Sequence, residues 1–342
     1  MISRIVRTLL VIGAVIVLLA LAWPRVFGLQ NSWGVAHVVS LRGLAVAGAA
    51  LLVVVLLLLS RIRPLRRTMT ALIVVTVLFG AANAGILVSR GLGTSSAAQA
   101  APSAQSVTVL SWNTLGDVPG ADAIARLALD NDADVITLPE TTEEAGIAVA
   151  EAMRAAGRPM WVHTLAFDQV SKARSTTLLI SPDLGDYTVS NAAQSGPPGN
   201  TNVLPTVVAE PADGDGPTII AVHAVAPLPQ EMSNWRSDLN WLKDQCSRAD
   251  VIMAGDFNAT IDHMQGGAAT DSVLGDCQDA ALTAGSGAVG TWPTRLPALL
   301  GTPIDHVLAS PNWTVTDMHV IESVDAAGSD HRPIVATLTT AP

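Results

Sequence analysis

The sequence predicts an α/β domain of two packed sheets with helices outside, preceded by three transmembrane helices. Three observations carry that expectation. Residues 1–100 hold nine Arg, no Lys, Asp or Glu, and three long apolar runs. From residue 107 onward, short β-branched runs alternate with helix-like segments, and strands outnumber long helices. Asn, Glu, Asp and His recur where those short runs end, the place where an α/β sheet presents side chains to a ligand.

The membrane part comes first, over 1–89. Its apolar runs cover about 5–23, 43–60 and 69–89, each near the ~20 residues needed to cross the hydrocarbon core. The second run extends back toward Ala36, with Arg42 close to an interface. Arg4 and Arg7 precede the first run, and Arg61, Arg63, Arg66 and Arg67 separate the second from the third. The positive-inside rule puts the N-terminus and that cluster in the cytoplasm, so three spans leave the rest of the chain extracytoplasmic. A competing reading cleaves the first run as a signal peptide at Ala20-Leu21-Ala22. No polar segment follows that site and two further spans do, which favours a retained span. In the third run Gly80, Asn83 and Gly85 suit helix packing.

Residues 90–106 are small, polar and without periodicity, the composition of a flexible linker. The domain proper is then 107–342. Strands are expected at Val107–Trp112, Val135–Leu138, Thr176–Ile180, Val203–Glu210, Thr218–His223, Val251–Ala254, Ile304–Ala309 and Pro333–Leu338. Ile124, Leu127 and Ala128 give Ala121–Asn131 a helical period, and Gln230–Arg248 reads as an amphipathic helix. Trp235, Leu239, Leu242 and Cys246 form the inner face of that second helix. Asp213-Gly214-Asp215-Gly216 reads as a tight hairpin turn rather than a calcium loop.

Charge separates the two parts. Removing the nine N-terminal Arg leaves 10 basic against 29 acidic residues in 101–342. A duplex-binding surface usually offers a basic stripe, so this domain is disfavoured as a nucleic-acid partner without being excluded. Cys246 and Cys277 are the only cysteines, and outside the cytoplasm their pairing is the expectation. No Cys/His spacing of a zinc site is present.

Five islands carry the chemistry: Ser111-Trp112-Asn113-Thr114, Leu138-Pro139-Glu140, Gly255-Asp256-Phe257-Asn258, Ile304-Asp305-His306 and Ser329-Asp330-His331. Asp256 and Asn258 project on one side of a strand end, where a carboxylate can orient water and an amide can donate to a phosphoryl oxygen. The bland alternative is an Asx turn closing the strand. His331 can donate to phosphate or protonate a leaving group, with Asp305 holding its tautomer through the other ring nitrogen. His306 reads as structural. Glu140 and Asn113 offer oxygen ligands suited to Mg²⁺ or Mn²⁺, and Asp330 can bind metal or water. His223 is a second candidate donor at a strand end.

In order along the chain, SWNT, LPE, VHAVAP, GDFNA, IDHVLAS and SDHRP resemble the endonuclease/exonuclease/phosphatase superfamily over about 107–340. The resemblance implies a four-layer α/β/β/α sandwich and metal-dependent phosphoester hydrolysis. By matched position it implies metal binding by Asn113, Glu140 and Asp330, and catalytic roles for His223, Asp256, Asn258, Asp305 and His331. Two departures stand out. Pro139 replaces a Gln common in the family and removes a backbone donor, and Leu115 replaces an acid found in some relatives. Thr291-Trp292-Pro293 matches a segment that often lines the site.

The three-span, exported arrangement also resembles the VanJ-type membrane proteins of glycopeptide-resistance clusters, which implies lipid-linked envelope pyrophosphates as substrates. The leading expectation is a membrane-anchored, extracytoplasmic phosphohydrolase acting on a phosphoester or pyrophosphate, lipid-linked ones included. An exported nuclease is the second reading, and an inactive envelope binding or sensing module the third.

Overall fold

Alternation along the strands decides the layers of this protein, because successive side chains leave a strand on opposite faces. The computed structural model describes residues 2–93, 106–167, 170–189, 196–267 and 271–341. Three of its helices are long and apolar enough to cross a membrane. In chain order the N-terminal part comprises α1 (Ile2–Ala22), a short α2 (Val35–Ser40), α3 (Arg42–Leu59) and α4 (Arg66–Arg90). The second apolar run therefore does not reach back to Ala36 as one helix. Leu41, at φ −104° and ψ 46°, leaves the helical region and separates α2 from α3. Gly80 lies where an added Cβ would meet the Ala49 methyl at 3.3 Å, so α3 and α4 approach closely there, whereas Gly85 has open space.

The domain runs β1 (Ser106–Ser111), α5 (Ala121–Asp130), β2 (Val135–Pro139), α6 (Glu143–Ala155), β3 (Trp161–Ala166), β4 (Ser175–Ile180), β5 (Tyr187–Val189), β6 (Val207–Pro211), β7 (Thr218–His223), α7 (Met232–Gln245), β8 (Val251–Asp256), β9 (Gln278–Asp279), α8 (Ala280–Thr283), β10 (Asp305–Ala309), β11 (Trp313–Val320) and β12 (Ile334–Thr340). These form two six-stranded sheets, ordered β11-β12-β1-β2-β4-β3 and β5-β6-β7-β8-β10-β9. Only β1–β2 and β7–β8 pair in parallel among the described strands.

Ile219 and Ala221 of β7 turn inward, against Val109 and Val135 of the other sheet, while Ile220 and Val222 turn outward. Outside, α7 covers the second sheet with Trp235, Leu239, Leu242 and Cys246, all buried. On the opposite face Ile124, Leu127, Val149 and Met153 of α5 and α6 cover Leu110, Ile136 and Leu138. The layering is that of an α/β/β/α sandwich. β6 begins at Val207 rather than Val203, after Pro205, which has no N–H to give a ladder. Asp213–Gly216 turn β6 into β7, with the Asp213 carboxylate accepting the Asp215 N–H at 3.1 Å. Cys246 and Cys277 form a disulfide that ties α7 to the segment before β9.

Direct contacts hold the domain on the helices. Arg90, at the start of the expected linker, closes α4, and Gly91–Gly93 bond to the 285–288 segment. Residues 94–105 of that linker lie outside the described residues. Gly43 at the start of α3 touches Leu299 so closely that an added Cβ would sit 1.9 Å from its carbonyl oxygen. Asp262 accepts from Arg42 (2.7 and 2.8 Å) and from Arg90 (2.8 Å to each carboxylate oxygen). His263 sits 3.1 Å from the Ala36 carbonyl through Nε2, and Arg42 also donates to Asn83 at 2.6 Å.

Candidate active site

Two parallel strand pairs, one per sheet, deliver four site residues. β1 and β2 lead into Asn113 and Glu140, and β7 and β8 end on His223 and Asp256. Asp305 opens β10 directly opposite Asp256 in the ladder. Asp330 and His331 lie just before β12, which pairs with β1. The sheets are joined across the gap by Asn113, whose Nδ2 donates to Glu140 and to Asp256 Oδ2, both at 3.1 Å.

Local backbone shapes these ends. Glu140 (φ 58°) and Asn258 (φ 46°) both adopt the left-handed region, which costs a non-glycine residue about 1–2 kcal/mol. The fold holds Glu140 there by its carbonyl, which accepts the Thr114 hydroxyl at 2.9 Å and the Gly116 N–H at 3.1 Å. Pro139 contributes no donor, yet its carbonyl accepts the Thr114 N–H at 3.0 Å, so 114–116 grip both residues. Gly255 is required: at φ 148° an added Cβ would lie 2.0 Å from the Val222 carbonyl oxygen.

Asp256 is the centre of the cluster. Its Oδ1 accepts the Asn258 N–H at 2.8 Å, and Asn258 Nδ2 donates to the Ala224 carbonyl at 2.9 Å while lying 3.3 Å from Asp256 Oδ2. The amide of Asn258 thus holds the carboxylate. His331 Nδ1 pairs with Asp305 at 2.8 Å, and its Nε2 faces Asp256 at 3.8 Å. His223 Nε2 lies 3.9 Å from Glu140, and its buried Nδ1 has no partner among the described residues. Asp330 sits at the rim, accepting the Trp292 indole N–H at 2.8 Å. His306 lies away from these groups, between Asp279 (2.7 Å) and the Ala259 carbonyl (2.9 Å), in a structural role.

Electrostatics follow from burial and like charge. Among the described residues no ion pair joins an arginine or lysine to Glu140, Asp256, Asp305 or Asp330. Burial, reinforced by the Asp305 charge, pushes Asp256 up to about 7 against the pull of His331. Burial also raises Glu140. For His331 burial opposes the charge, but Asp305 and Asp256 outweigh it and hold the imidazole up to about 10. His223, buried and repelled by His331, falls to about 3 and stays neutral.

This donor set fits a divalent cation. Glu140 and Asp256 accept from one Asn113 nitrogen, so both carboxylates face the same point, which a hydrogen-bond donor already fills. Asp305 Oδ1 is buried without a partner among the described residues. Ligand atoms of Asp256, Asp305 and His331 lie within 4.8 Å of one another. That trio differs from the expected ligands Asn113, Glu140 and Asp330, and His331 is poorly suited because Asp305 and Asp256 favour its imidazolium, in which Nε2 carries a proton. Carboxylate oxygens are hard ligands of the kind Mg²⁺ and Mn²⁺ take. Asn113 would have to turn its amide over, since its Oδ1 accepts the Leu115 N–H at 3.0 Å.

Several supporting groups carry no chemical signature of their own. Ser329 Oγ donates to the Asn113 carbonyl at 2.6 Å and accepts the His331 N–H at 3.0 Å. Trp112 Nε1 donates to the His331 carbonyl at 2.9 Å, and Thr291 Oγ1 accepts the N–H of Asp305 at 3.2 Å. Only their placement inside or beside the islands points to them.

The sequence model of the Endonuclease/Exonuclease/phosphatase family matches residues 110–331, an interval that contains every residue of this cluster. The chain belongs to that family. Members of the family are hydrolases of phosphoesters and use divalent metals. Among solved structures, an endonuclease/exonuclease/phosphatase from Beutenbergia cavernae is similar at 18% identity and TM-score 0.50, covering 69% of this chain and 72% of its own. A humanized D. rerio TDP2 with 14 mutations is similar at 15% identity and TM-score 0.51, covering 70% of this chain and all (100%) of its own. Both support the fold. No curated protein matches this chain.

Proposed function

We propose that this protein is a membrane-anchored, extracytoplasmic, Mg²⁺- or Mn²⁺-dependent phosphohydrolase acting on a phosphoester or pyrophosphate carried by a membrane lipid. One observation carries the lipid reading: the loops that build the site are the ones docked on the helices. The loop with Asn258 continues directly into Asp262 and His263, which bind Arg42 and the Ala36 carbonyl. The loop with Trp292 continues into Leu299, against Gly43. A phosphate at the membrane surface is therefore at high effective concentration near the cluster. The Arg-bearing ends of the apolar runs and the Cys246–Cys277 disulfide support an extracytoplasmic domain.

In this mechanism Asp256, held by the Asn258 N–H, accepts a hydrogen bond from the attacking water and orients it in line with the phosphorus. His331, kept cationic by Asp305, meets negative charge on the phosphoryl oxygens through Nε2. His223 is neutral and donates from one ring nitrogen to the same oxygens. Glu140, Asp256 and, after an amide turn, Asn113 would hold the divalent ion, with Asp330 completing the rim. When bound, that ion supplies Lewis-acid polarisation of the phosphoryl group.

The test uses the full chain in lipid vesicles with Mg²⁺ or Mn²⁺. Phosphate release from a polyprenyl pyrophosphate is compared with cleavage of plasmid DNA, with Asp256→Ala and His331→Ala as controls. Release from the lipid, lost in both variants, is expected. DNA cutting with the same mutant sensitivity and no lipid hydrolysis would make the protein a nuclease.

A further inference from the structure

The surface where domain meets helices holds more cations than its own acids balance. Arg42 and Arg90 bond the Asp262 carboxylate, and Arg25 joins them at the same residue through its backbone carbonyl, so that three separate N-terminal elements meet there. Arg42 is saturated: its five N–H groups go to Asp262, Asn83 and the Ala22 carbonyl. Arg90 gives Asp262 one N–H from each terminal nitrogen and retains three others. Arg25 reaches the carbonyls of Asp262, Ile261 and Met264 with Nε and Nη2, and its Nη1 has no protein partner among the described residues. Three guanidinium charges against one carboxylate leave a surplus of two.

That surplus borders a cavity of about 220 Å³, whose lining combines Arg25, Arg42, Arg90 and Asp262 with the apolar Trp23, Val26 and Ile86. Among the described residues Asp262 is the only acid in the wall. The connection from α1 to α2 also exposes Trp23 (47%), Val26 (78%), Phe27 (46%) and Trp33 (60%). Large apolar and aromatic side chains at the level where helices end belong to a membrane interface, where headgroups replace water. Two unbalanced guanidiniums at that depth call for an anion that an apolar tail can accompany.

We infer that this cavity is a binding site, separate from the hydrolytic cluster, for the phosphate headgroup of an anionic membrane lipid, held between Arg25 and Arg90. Basic pockets between membrane helices bind such headgroups, and each guanidinium near the surface adds to the attraction. The acyl chains would lie along the outward apolar side chains of α1 and α4, such as Leu19 and Val88. Arg25 and Arg90 also grip the 261–264 segment, so the bound headgroup tightens the seat of the loop that begins at Asn258.

The test measures lipid retained by the full chain, by native mass spectrometry, from bilayer discs of phosphatidylglycerol mixed with phosphatidylcholine. The wild type should retain phosphatidylglycerol with a preference of about tenfold. Arg25→Gln should reduce that preference to within about twofold, and Arg25→Lys should restore most of it. Equal retention of the two lipids by the wild type would overturn the site, and that arm needs no variant to fold. So would an unchanged preference in Arg25→Gln. Displacement of the lipid by millimolar inorganic phosphate would show a free-anion site and overturn the lipid assignment.

Discussion

Two buried clusters of charge sit one loop apart, and they are built on opposite plans. Around Asp256 the acids have no arginine or lysine partner among the described residues, and burial drives Asp256 and Glu140 toward their protonated forms. Around Asp262 the carboxylate is encircled by Arg42 and Arg90 and is held well below the usual carboxylate range although burial pulls the other way. These two aspartates are six positions apart. The contrast shows how one protein keeps one carboxylate available to an incoming cation and fixes another as a structural anchor. What differs is the company of each: histidine and like charge in one case, guanidinium in the other.

The largest expected effects come from breaking the two centres. Asp256→Ala or His331→Ala should lower turnover by about 10²–10⁴-fold, the range for positioned acid–base groups. The melting temperature should stay or rise in Asp256→Ala and fall in His331→Ala, which leaves Asp305 buried without its cation. A variant Asp256→Ala with near wild-type phosphate release would remove Asp256 from the mechanism. Asp262→Ala should act the other way, on stability first. It leaves Arg42 and Arg90 buried without a counter-charge, a loss of about 3–5 kcal/mol. Trypsin should then cut the full chain after Arg90, freed from Asp262, more readily. Unaltered melting and proteolysis would show that the domain does not depend on this anchor.

The two clusters also differ in how much of them the sequence exposes. The Asp256 cluster is legible because its members lie at or next to the ends of apolar strands, closing β2, β7 and β8 and opening β10 and β12, and a strand end is local information. The register places Asp305 opposite Asp256, and the paired islands then meet. Trp292 and its bond to Asp330 were within reach of the same reading. The anchor is not legible, since Asp262 lies 220 positions from Arg42 and 172 from Arg90, and each alone reads as a helix end or a loop acid. The same limit applies to the fold. β3 and β11 lie at sheet edges, where Trp161–Ala166 and Trp313–Val320 are only partly buried and lose the clean alternation that marks a strand. The small-residue composition of 91–93 gave no sign of docking either, because backbone groups rather than side chains make the contacts there.

The disulfide sharpens the comparison by stiffening the anchored side. Cys246 and Cys277 are separated by 31 positions, and removing that closure should cost about 3–4 kcal/mol in the chain-entropy account. Denaturant midpoints with and without reductant measure it. A shift confined to the domain, with no change in metal-dependent turnover below the midpoint, would keep its role apart from the chemistry.

The smallest effect is one of pH, and its sign separates the clusters. Asp256 has a folded pKa raised to about 7 from 3.8, so its contribution to stability is lost as pH rises through that interval. A divalent ion relieves the crowding of negative charge, so Mg²⁺ should raise the melting temperature more at pH 8 than at pH 5. Asp256→Asn should remove most of that difference. His263, at the docking surface, runs the other way. Burial lowers it from 6.5 to about 4, and its neutral ring accepts the Thr260 N–H at 2.9 Å while donating to the Ala36 carbonyl. Its contribution is complete above pH 6.5 and declines as pH falls toward 4, because only the unfolded or undocked state takes up the proton easily. Hydrogen exchange at residues 259–264 should therefore quicken on acidification from pH 6.5 to 4, beyond the intrinsic pH dependence of exchange. His263→Gln, which cannot titrate, should lack that extra component. If the variant and the wild type respond alike, the docking surface is insensitive to pH and the opposition between the clusters lies in their charge partners alone.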